Sequence, residues 1–210
     1  MLFIKLPFTK PEFRIIGSGC FLKPLKKKET AKLKIWFKDR QLIRFAFGVN
    51  ARDEVLDQIA QEYLANFMDA STEVLGIWTA EAGLIGFINY FRLKNKKNTA
   101  RIGIILSEEK YRSCGIGTAA LNLALHYIFN YRGIDTVELD TADFNVRARR
   151  CFEKCGFKPV RDGEELEPLS GKIVSKHYMC LYKDDFINSM LDRFELAPTY
   201  EGRLPSKKLW

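Results

Sequence analysis

The stretch Arg112-Ser-Cys-Gly-Ile-Gly-Thr118 decides the fold, because it joins two segments of opposite character. Before it runs the apolar, β-rich segment Ile102–Leu106, and after it comes a segment with apolar residues at helical spacing up to about Tyr131. The two glycines allow a tight turn that exposes successive backbone N–H groups. The helix that follows adds the unpaired N–H groups of its first turn and the positive end of its dipole. This order predicts a phosphate-binding turn, although the stretch is neither a Walker loop nor the GxGxxG dinucleotide fingerprint.

The segments on either side of this turn predict a mixed α/β (α+β) sheet with flanking helices. Strands come first along the chain, and a β-α-β-α unit follows, which is typical of a sheet that combines antiparallel and parallel pairs. The predicted strands cover residues 20–25, 74–79, 84–91, 100–106, 136–141 and 176–182. The predicted helices cover residues 29–37, 53–67, 117–131 and 146–155, with a further helix from about 184 to 194. Residues up to about 19 are expected to be irregular because Pro7 and Pro11 interrupt them.

Composition excludes several classes of protein. The chain has 210 residues, of which 47% are hydrophobic, so it can bury a core and is not disordered over most of its length. Its apolar runs are shorter than the roughly 18 residues of a membrane span, and its N-terminus lacks the pattern of a signal peptide. We therefore expect a cytoplasmic protein that does not bind membranes.

The net charge of +8 by itself suggests a nucleic-acid partner, and the five cysteines suggest a metal site, but the arrangement of these residues argues against both. The basic residues form separate clusters without a recognition helix, zinc finger or RNA-binding aromatic motif, so nucleic acid is an unlikely partner. Cys151 and Cys155 have a CxxxC spacing and no second ligand pair, so no metal site is predicted. An anionic small ligand would account for part of the positive charge.

A second segment, Asn145-Val-Arg-Ala-Arg-Arg-Cys-Phe-Glu-Lys-Cys-Gly-Phe157, follows the turn after an intervening strand. Together the two segments resemble the paired signature of the GNAT superfamily of acyl-CoA-dependent N-acyltransferases. The residues from Ile102 to Arg112 are most similar to the branch that contains the ribosomal-protein N-terminal acetyltransferases. The resemblance implies a mainly antiparallel central sheet with a V-shaped splay. It also implies three parts: an N-terminal segment of residues 1–19, an N-acetyltransferase domain of residues 20–186 and a C-terminal tail of residues 187–210.

The resemblance also implies a cofactor site for acetyl-CoA as co-substrate, without a metal. Its pantetheine arm would lie along Ile104, Ile105 and Leu106, and a backbone N–H at Leu106 would polarise the thioester carbonyl. The residues expected to hold the pyrophosphate are Arg112, Ser113, Cys114, Gly115, Ile116, Gly117 and Thr118. Asn145 would reach the cofactor arm, and it is also a good helix N-cap.

The chain departs from the family pattern at two positions. Phe152 stands where the family commonly has a tyrosine as general acid, and it is assigned to the cofactor site without that role. Arg101 stands where a glutamate base is common, and arginine cannot act as a base at neutral pH. Another branch of the family uses an acid on the strand that leads to the asparagine segment, and the resemblance places Asp140 at that position as the predicted base, with Asp143 and Glu81 as further candidates. Arg101, Glu81 and Asp143 are assigned to the acceptor site.

The acceptor is predicted to be a small-molecule or peptide amine that attacks the thioester directly in a ternary complex. A lysine-like amine is neutral in about one molecule in 2,500 at pH 7, a penalty of roughly 4.6 kcal/mol, against about 1.4 kcal/mol for an α-amino group. The lack of an obvious strong base thus favours a less basic amine: a protein N-terminus, an amino acid or an amino sugar. The alternatives are an amino-sugar or polyamine acetyltransferase, a non-catalytic acyl-CoA-binding module and a basic ribosome-associated protein. We expect a monomer or a homodimer.

Overall fold

The computed structural model describes residues 13–48, 50–69, 71–167, 171–192, 198–202 and 204. The strands are β1 (Phe13–Ile16), β2 (Phe21–Pro24), β3 (Thr72–Thr79), β4 (Gly83–Arg92), β5 (Thr99–Leu106), β6 (Thr136–Ala142), β7 (Lys158–Glu167), β8 (Lys172–Tyr182) and β9 (Thr199–Gly202). The helices are α1 (Thr30–Trp36), α2 (Arg40–Phe47), α3 (Asp53–Met68), α4 (Ile116–Tyr131), α5 (Val146–Lys154) and α6 (Lys183–Asp192).

All nine strands belong to one sheet, in the order β7-β8-β6-β5-β4-β3-β2-β1-β9. Every neighbouring pair is antiparallel except β5 and β6, which are parallel. Helix α4 makes the crossover between these two strands, as a parallel connection requires. The predicted mixed, mainly antiparallel sheet with flanking helices is confirmed.

The parallel pair β5–β6 separates soon after it forms. Its register covers only three residues of each strand, Thr99–Arg101 against Thr136–Glu138. Beyond Arg101, β5 stays paired with β4 up to Leu106, and β6 stays paired with β8 up to Ala142. The strands therefore diverge into the V-shaped gap that the resemblance implied.

The two faces of the sheet carry different helices. One core contains the apolar faces of α4 and α5 with Phe186 of α6, and its centre is formed by fully buried residues such as Tyr127 and Phe129. The other core lies under α1, α2 and α3, and includes Phe37, Phe87 and Ile105. The gap between β5 and β6 thus lies between two separately packed layers.

A β-bulge in β4 shapes the strand next to the gap. The register pairs Ile77 with Gly86 and Trp78 with Leu84, so Ile85 is an extra residue on β4. Gly86 lies opposite Leu106, and a Cβ atom there would come within 2.4 Å of the Ile105 carbonyl oxygen. Only glycine permits this approach of the two backbones.

Most predicted elements are present, and four differ. Residues 13–16, expected to be irregular, form β1, and the C-terminal tail contributes β9, which pairs with β1. Pro7 and Pro11 lie outside the described residues. Helix α2 and strand β7 were not predicted, although Asp39 caps α2 by accepting from the backbone N–H groups of Gln41 and Leu42.

Within the described residues, none of the helices combines the length and apolar character needed to cross a bilayer.

Candidate active site

A cleft of about 490 Å³ lies over the gap between β5 and β6. One wall is apolar and consists of Leu42, Phe45 and Ala46 of α2 together with Ile104, Ile105 and Leu106 of β5. The other end is formed by the turn before α4 and by the exposed side of α5. Its remaining lining residues are Arg112, Ser113, Gly115, Gly117, Thr118, Asn145, Val146, Arg147, Ala148, Arg150, Cys151, Phe152 and Lys154.

The turn before α4 presents free backbone donors to the cleft. Ser113 and Gly115 both have a positive φ, 63° and 88°, and a Cβ on Gly115 would meet nothing within 4 Å, so Gly115 serves the backbone conformation rather than close packing. Helix α4 begins without a capping side chain. The N–H groups of its first turn are therefore available to an anion, with the helix dipole adding to the attraction.

Positive side chains surround these donors. Arg112, Arg147, Arg150 and Lys154 line the cleft, and within the described part of the chain none of them forms an ion pair with a carboxylate. Burial and the neighbouring Arg112 guanidinium lower the pKa of Arg147. The nearby Glu109 carboxylate acts in the opposite direction but does not outweigh these two effects. Two cations held close together, neither of them in ion-pair contact with a carboxylate of the described residues, favour binding of an anion between them.

Arg112 also holds the end of β5 in place. Its Nε donates to the Leu106 carbonyl at 3.0 Å, and its Nη2 donates to the Ser107 carbonyl at 2.7 Å. The Ser107 N–H donates to the Ile85 carbonyl at 3.0 Å, which fixes the alternation of the β4–β5 ladder. By this alternation the backbone N–H groups of Ile104 and Leu106 point away from β4, into the gap.

Asn145 connects both sides of the cleft. Its Oδ1 accepts from the Ala148 N–H at 3.2 Å and so caps α5, while its Nδ2 donates to the Phe45 carbonyl at 2.9 Å. The side chain is buried. The residue predicted to cap the helix therefore also ties α5 to α2 across the mouth of the cleft.

Asp140 lies beside the closed end of the gap, within a chain of four charges. Its carboxylate is 3.5 Å from the Arg101 guanidinium and 2.9 Å from the Lys176 ammonium, which in turn lies 2.7 Å from Glu165. Burial lowers the pKa of Lys176, but hydrogen bonds to Glu165 and Asp140 outweigh it and the pKa is raised. Lys176 thus remains an ammonium, and the predicted base and the predicted acceptor residue Arg101 are neighbours.

A tyrosine that sequence reasoning did not single out lies on the same face. The Tyr63 ring packs 5.3 Å from the ring of Phe37, 5.2 Å from that of Phe47 and 6.3 Å from that of Phe87. Burial raises the pKa of Tyr63 to about 12, and the nearby charge of Asp140 adds to this. Its phenol therefore keeps its proton at neutral pH. Phe152, by contrast, is buried and supplies no proton.

Six predicted site residues lie outside the cleft lining, and two of them are Asp140 and Arg101 in the chain of charges described above. Cys114 is exposed and its thiol donates to the Tyr111 carbonyl, while Ile116 packs against the core. Glu81 is exposed in the β3–β4 turn and pairs with Lys110 at 3.2 Å. Asp143 is exposed in the β6–α5 turn, where its side chain accepts from the N–H of Phe144.

Comparison with known structures supports the fold. A spermidine N-acetyltransferase from Vibrio cholerae, solved with CoA and spermine, has a TM-score of 0.68 at 19% identity, covering 82% of this chain and 100% of that one. A GNAT acetyltransferase from Bacillus anthracis has a TM-score of 0.64 at 14% identity, covering 81% of this chain and 99% of that one. The aminoglycoside acetyltransferase AAC(6')-Ib, solved with coenzyme A, has a TM-score of 0.64 at 18% identity, covering 81% of this chain and 98% of that one.

These neighbours do not support the ribosomal-protein branch that the sequence suggested, because they are polyamine and aminoglycoside enzymes. No curated protein shows significant sequence similarity to the chain. The family described as "Acetyltransferase (GNAT) domain" does match, over residues 20–158, a range that contains both signature segments and the diverging strands. The chain therefore belongs to the GNAT family of acetyltransferases.

Proposed function

We propose that this protein transfers the acetyl group of acetyl-CoA to a primary amine of a small molecule. The observation that carries the proposal is a single cleft in which the gap between β5 and β6 meets a cation-lined helix N-terminus. An acyl-CoA needs both features, because it joins a long uncharged arm to a charged diphosphate.

The lining of the cleft matches the two ends of the cofactor. The apolar wall of α2 and β5 suits the pantetheine arm, whose amides can pair with the inward-facing backbone groups of Ile104. The donors of α4 and the guanidinium groups of Arg147 and Arg150 suit the phosphates. The crystallised neighbours that hold CoA support this assignment.

The reaction follows as direct attack by the neutral amine on the thioester carbonyl. The Leu106 N–H stabilises the oxyanion, and Asp140 receives the proton of the attacking amine. Because Arg101 and Lys176 already contact the Asp140 carboxylate, this proton passes most readily through a water molecule. No covalent enzyme intermediate is needed.

Tyr63 is the proposed proton donor to the leaving thiolate. The family's usual tyrosine position holds Phe152, and the Tyr63 phenol lies near Asp140 on the acceptor face. Tyr63→Phe should lower kcat by roughly a hundredfold, the lower end of the range of general acid catalysis, and leave the affinity for CoA unchanged. Introducing Phe152→Tyr into that variant should restore part of the rate. An unchanged kcat in Tyr63→Phe would remove Tyr63 from the mechanism.

Two considerations support a small-molecule amine as acceptor. One neighbour is a spermidine N-acetyltransferase solved with CoA and spermine, and another is an aminoglycoside acetyltransferase. The Asp140 carboxylate contacts Lys176, which also contacts Glu165, so an entering ammonium group can take the place of Lys176 at Asp140 while Lys176 keeps its contact with Glu165. A protein N-terminus or an amino acid is the competing acceptor, favoured by its lower amine pKa.

The test is thiol release from acetyl-CoA with a panel of spermidine, an aminoglycoside, an amino acid and a short peptide. Turnover with at least one amine, together with mass-spectrometric detection of the acetylated product, is expected. Preference for the peptide would reassign the acceptor class. If the protein binds CoA but acetylates none of these amines, the proposed function would change from an enzyme to a non-catalytic acyl-CoA-binding module.

A further inference from the structure

Cys151 places a thiol inside the cofactor cleft. It lies on α5 and lines the cleft, with its Sγ 3.4 Å from the Thr118 Oγ1 at the start of α4. A Cβ on Gly117 would lie 3.5 Å from the same sulfur, so Cys151 packs directly against the phosphate-binding turn. The proposed reaction makes no use of this thiol.

The surroundings of Cys151 favour its thiolate. A hydrogen bond from the Cys155 thiol lowers its pKa most, burial opposes this, and the Thr118 hydroxyl and the Lys154 charge lower it further, to about 7. Arg147 and Arg150 on the same helix and Arg112 in the facing turn also line the cleft. The thiolate is the nucleophilic form of cysteine, and the cations around it attract anionic reagents.

The other cysteines lack this combination. Cys20 and Cys155 are buried, and burial raises the pKa of Cys20 to about 11. Cys114 is exposed, but its side chain turns to the Tyr111 carbonyl and lies outside the cleft lining. Cys180 is half-buried on β8. Among the described cysteines, Cys151 is therefore the one whose thiol lines the same cleft as cations that form no ion pair with a described carboxylate.

We propose that Cys151 is a modification site at which a small anionic disulfide is captured and the cofactor cleft is closed. The Cys151 thiolate attacks one sulfur of the disulfide, forms a mixed disulfide, and releases the second half as a thiolate that takes a proton from water. The attached group occupies the place assigned to the phosphates of CoA. This last point rests on the proposed function, whereas the reactivity of Cys151 does not.

The experiment treats the full chain with oxidised glutathione, blocks the remaining thiols by alkylation and maps adducts after trypsin digestion. Cleavage after Arg150 and Lys154 separates Cys151 from Cys155 into different peptides. One glutathionyl group is expected on Cys151. This adduct should form faster than the adduct of the neutral 2-hydroxyethyl disulfide. The rate of adduct formation should depend on pH most steeply near 7, because the pKa of Cys151 is lowered to about 7. Saturating CoA should slow the adduct by at least about tenfold, because thiol access is lost.

Calorimetry then measures whether the adduct closes the cleft. The modified protein should lose CoA binding and regain it after dithiothreitol. Cys180→Ser, the matched control outside the cleft, should remain sensitive to oxidised glutathione, whereas CoA binding by Cys151→Ser should become insensitive to it. If Cys151→Ser fails to fold, the adduct map of the unaltered chain with and without CoA still decides.

Three results would overturn the proposal: adducts on Cys114 or Cys180 instead of Cys151, an adduct rate that CoA leaves unchanged, or a Cys151 adduct that still binds CoA. Failure of the unmodified protein to bind CoA would instead contradict the proposed function, and the adduct map without CoA would still judge the reactivity of Cys151.

Discussion

Replacing Asn145 by alanine should weaken both the fold and the cofactor cleft. The change removes the cap of α5, which is worth about 1 kcal/mol. It also leaves the half-buried Phe45 carbonyl without the amide that donates to it at 2.9 Å, at a cost of about 1 kcal/mol, the lower end of the range for an unsatisfied acceptor. Together these losses lower the free energy of unfolding by about 2 kcal/mol, or the melting temperature by roughly 4 to 8 °C for a chain of this length.

Urea unfolding without ligand measures the first effect, and calorimetric titration with CoA measures the second. Because the amide ties α2 to α5 across the cleft, the dissociation constant for CoA should rise roughly tenfold, the equivalent of one hydrogen bond of about 1.4 kcal/mol. Asp39→Ala is the matched control. It removes the cap of α2 and about 1 kcal/mol of stability, but it does not break the connection to α5.

The reasoning would be refuted if Asn145→Ala and Asp39→Ala lost equal stability and bound CoA equally well. Equal losses of stability would mean that the hydrogen bond from Asn145 to the Phe45 carbonyl adds nothing to the free energy of unfolding. Equal affinity would mean that the connection between the two helices does not shape the cleft.

Three further predictions concern separate parts of the molecule. Asp140→Asn should slow acetyl transfer by more than about tenfold at unchanged CoA affinity, and an unchanged rate in the thiol-release assay would exclude it as the base. Gly86→Ala should reduce soluble, folded protein, measured by circular dichroism, because its Cβ would come within 2.4 Å of the Ile105 carbonyl; a melting temperature like that of the unaltered protein would contradict this. Burial lowers the pKa of His126, whose Nδ1 lies 2.6 Å from the Tyr200 hydroxyl. The unfolded chain therefore binds the proton more readily, so stability should fall as the pH drops below about 6.5; His126→Gln should flatten this dependence in urea titrations, and an unaltered pH profile would count against it.

Local features of the chain were predictable because short-range rules control them. The strand, turn and helix around Arg112–Thr118 are set by adjacent apolar periodicity and glycine positions. The cap at Asn145 is likewise a local preference. Helix α2 also has local signals in the sequence, Asp39 before it and Gly48 after it, and in the structure these residues are its N-cap and C-cap.

Other elements depend on partners far away in the chain. Strand β7 contains six charged residues among ten and no apolar alternation, so its sequence does not indicate a strand. Pairing with β8 satisfies its backbone groups. Strand β1 similarly needs β9, which lies more than 180 residues later.

By itself the sequence determined the glycine turn before α4, the mixed sheet and the family, because each depends on residues that are neighbours along the chain. Only the tertiary structure decided how far β5 and β6 stay paired, and that Arg101, Asp140 and Lys176 form one chain of charges. The physical reason is that such contacts are selected by the packing of whole layers, which no single stretch of sequence specifies. The same packing brings Asn145 to the Phe45 carbonyl, one hundred residues earlier in the chain, and the hydrogen bond between them joins α5 to α2 across the mouth of the cleft.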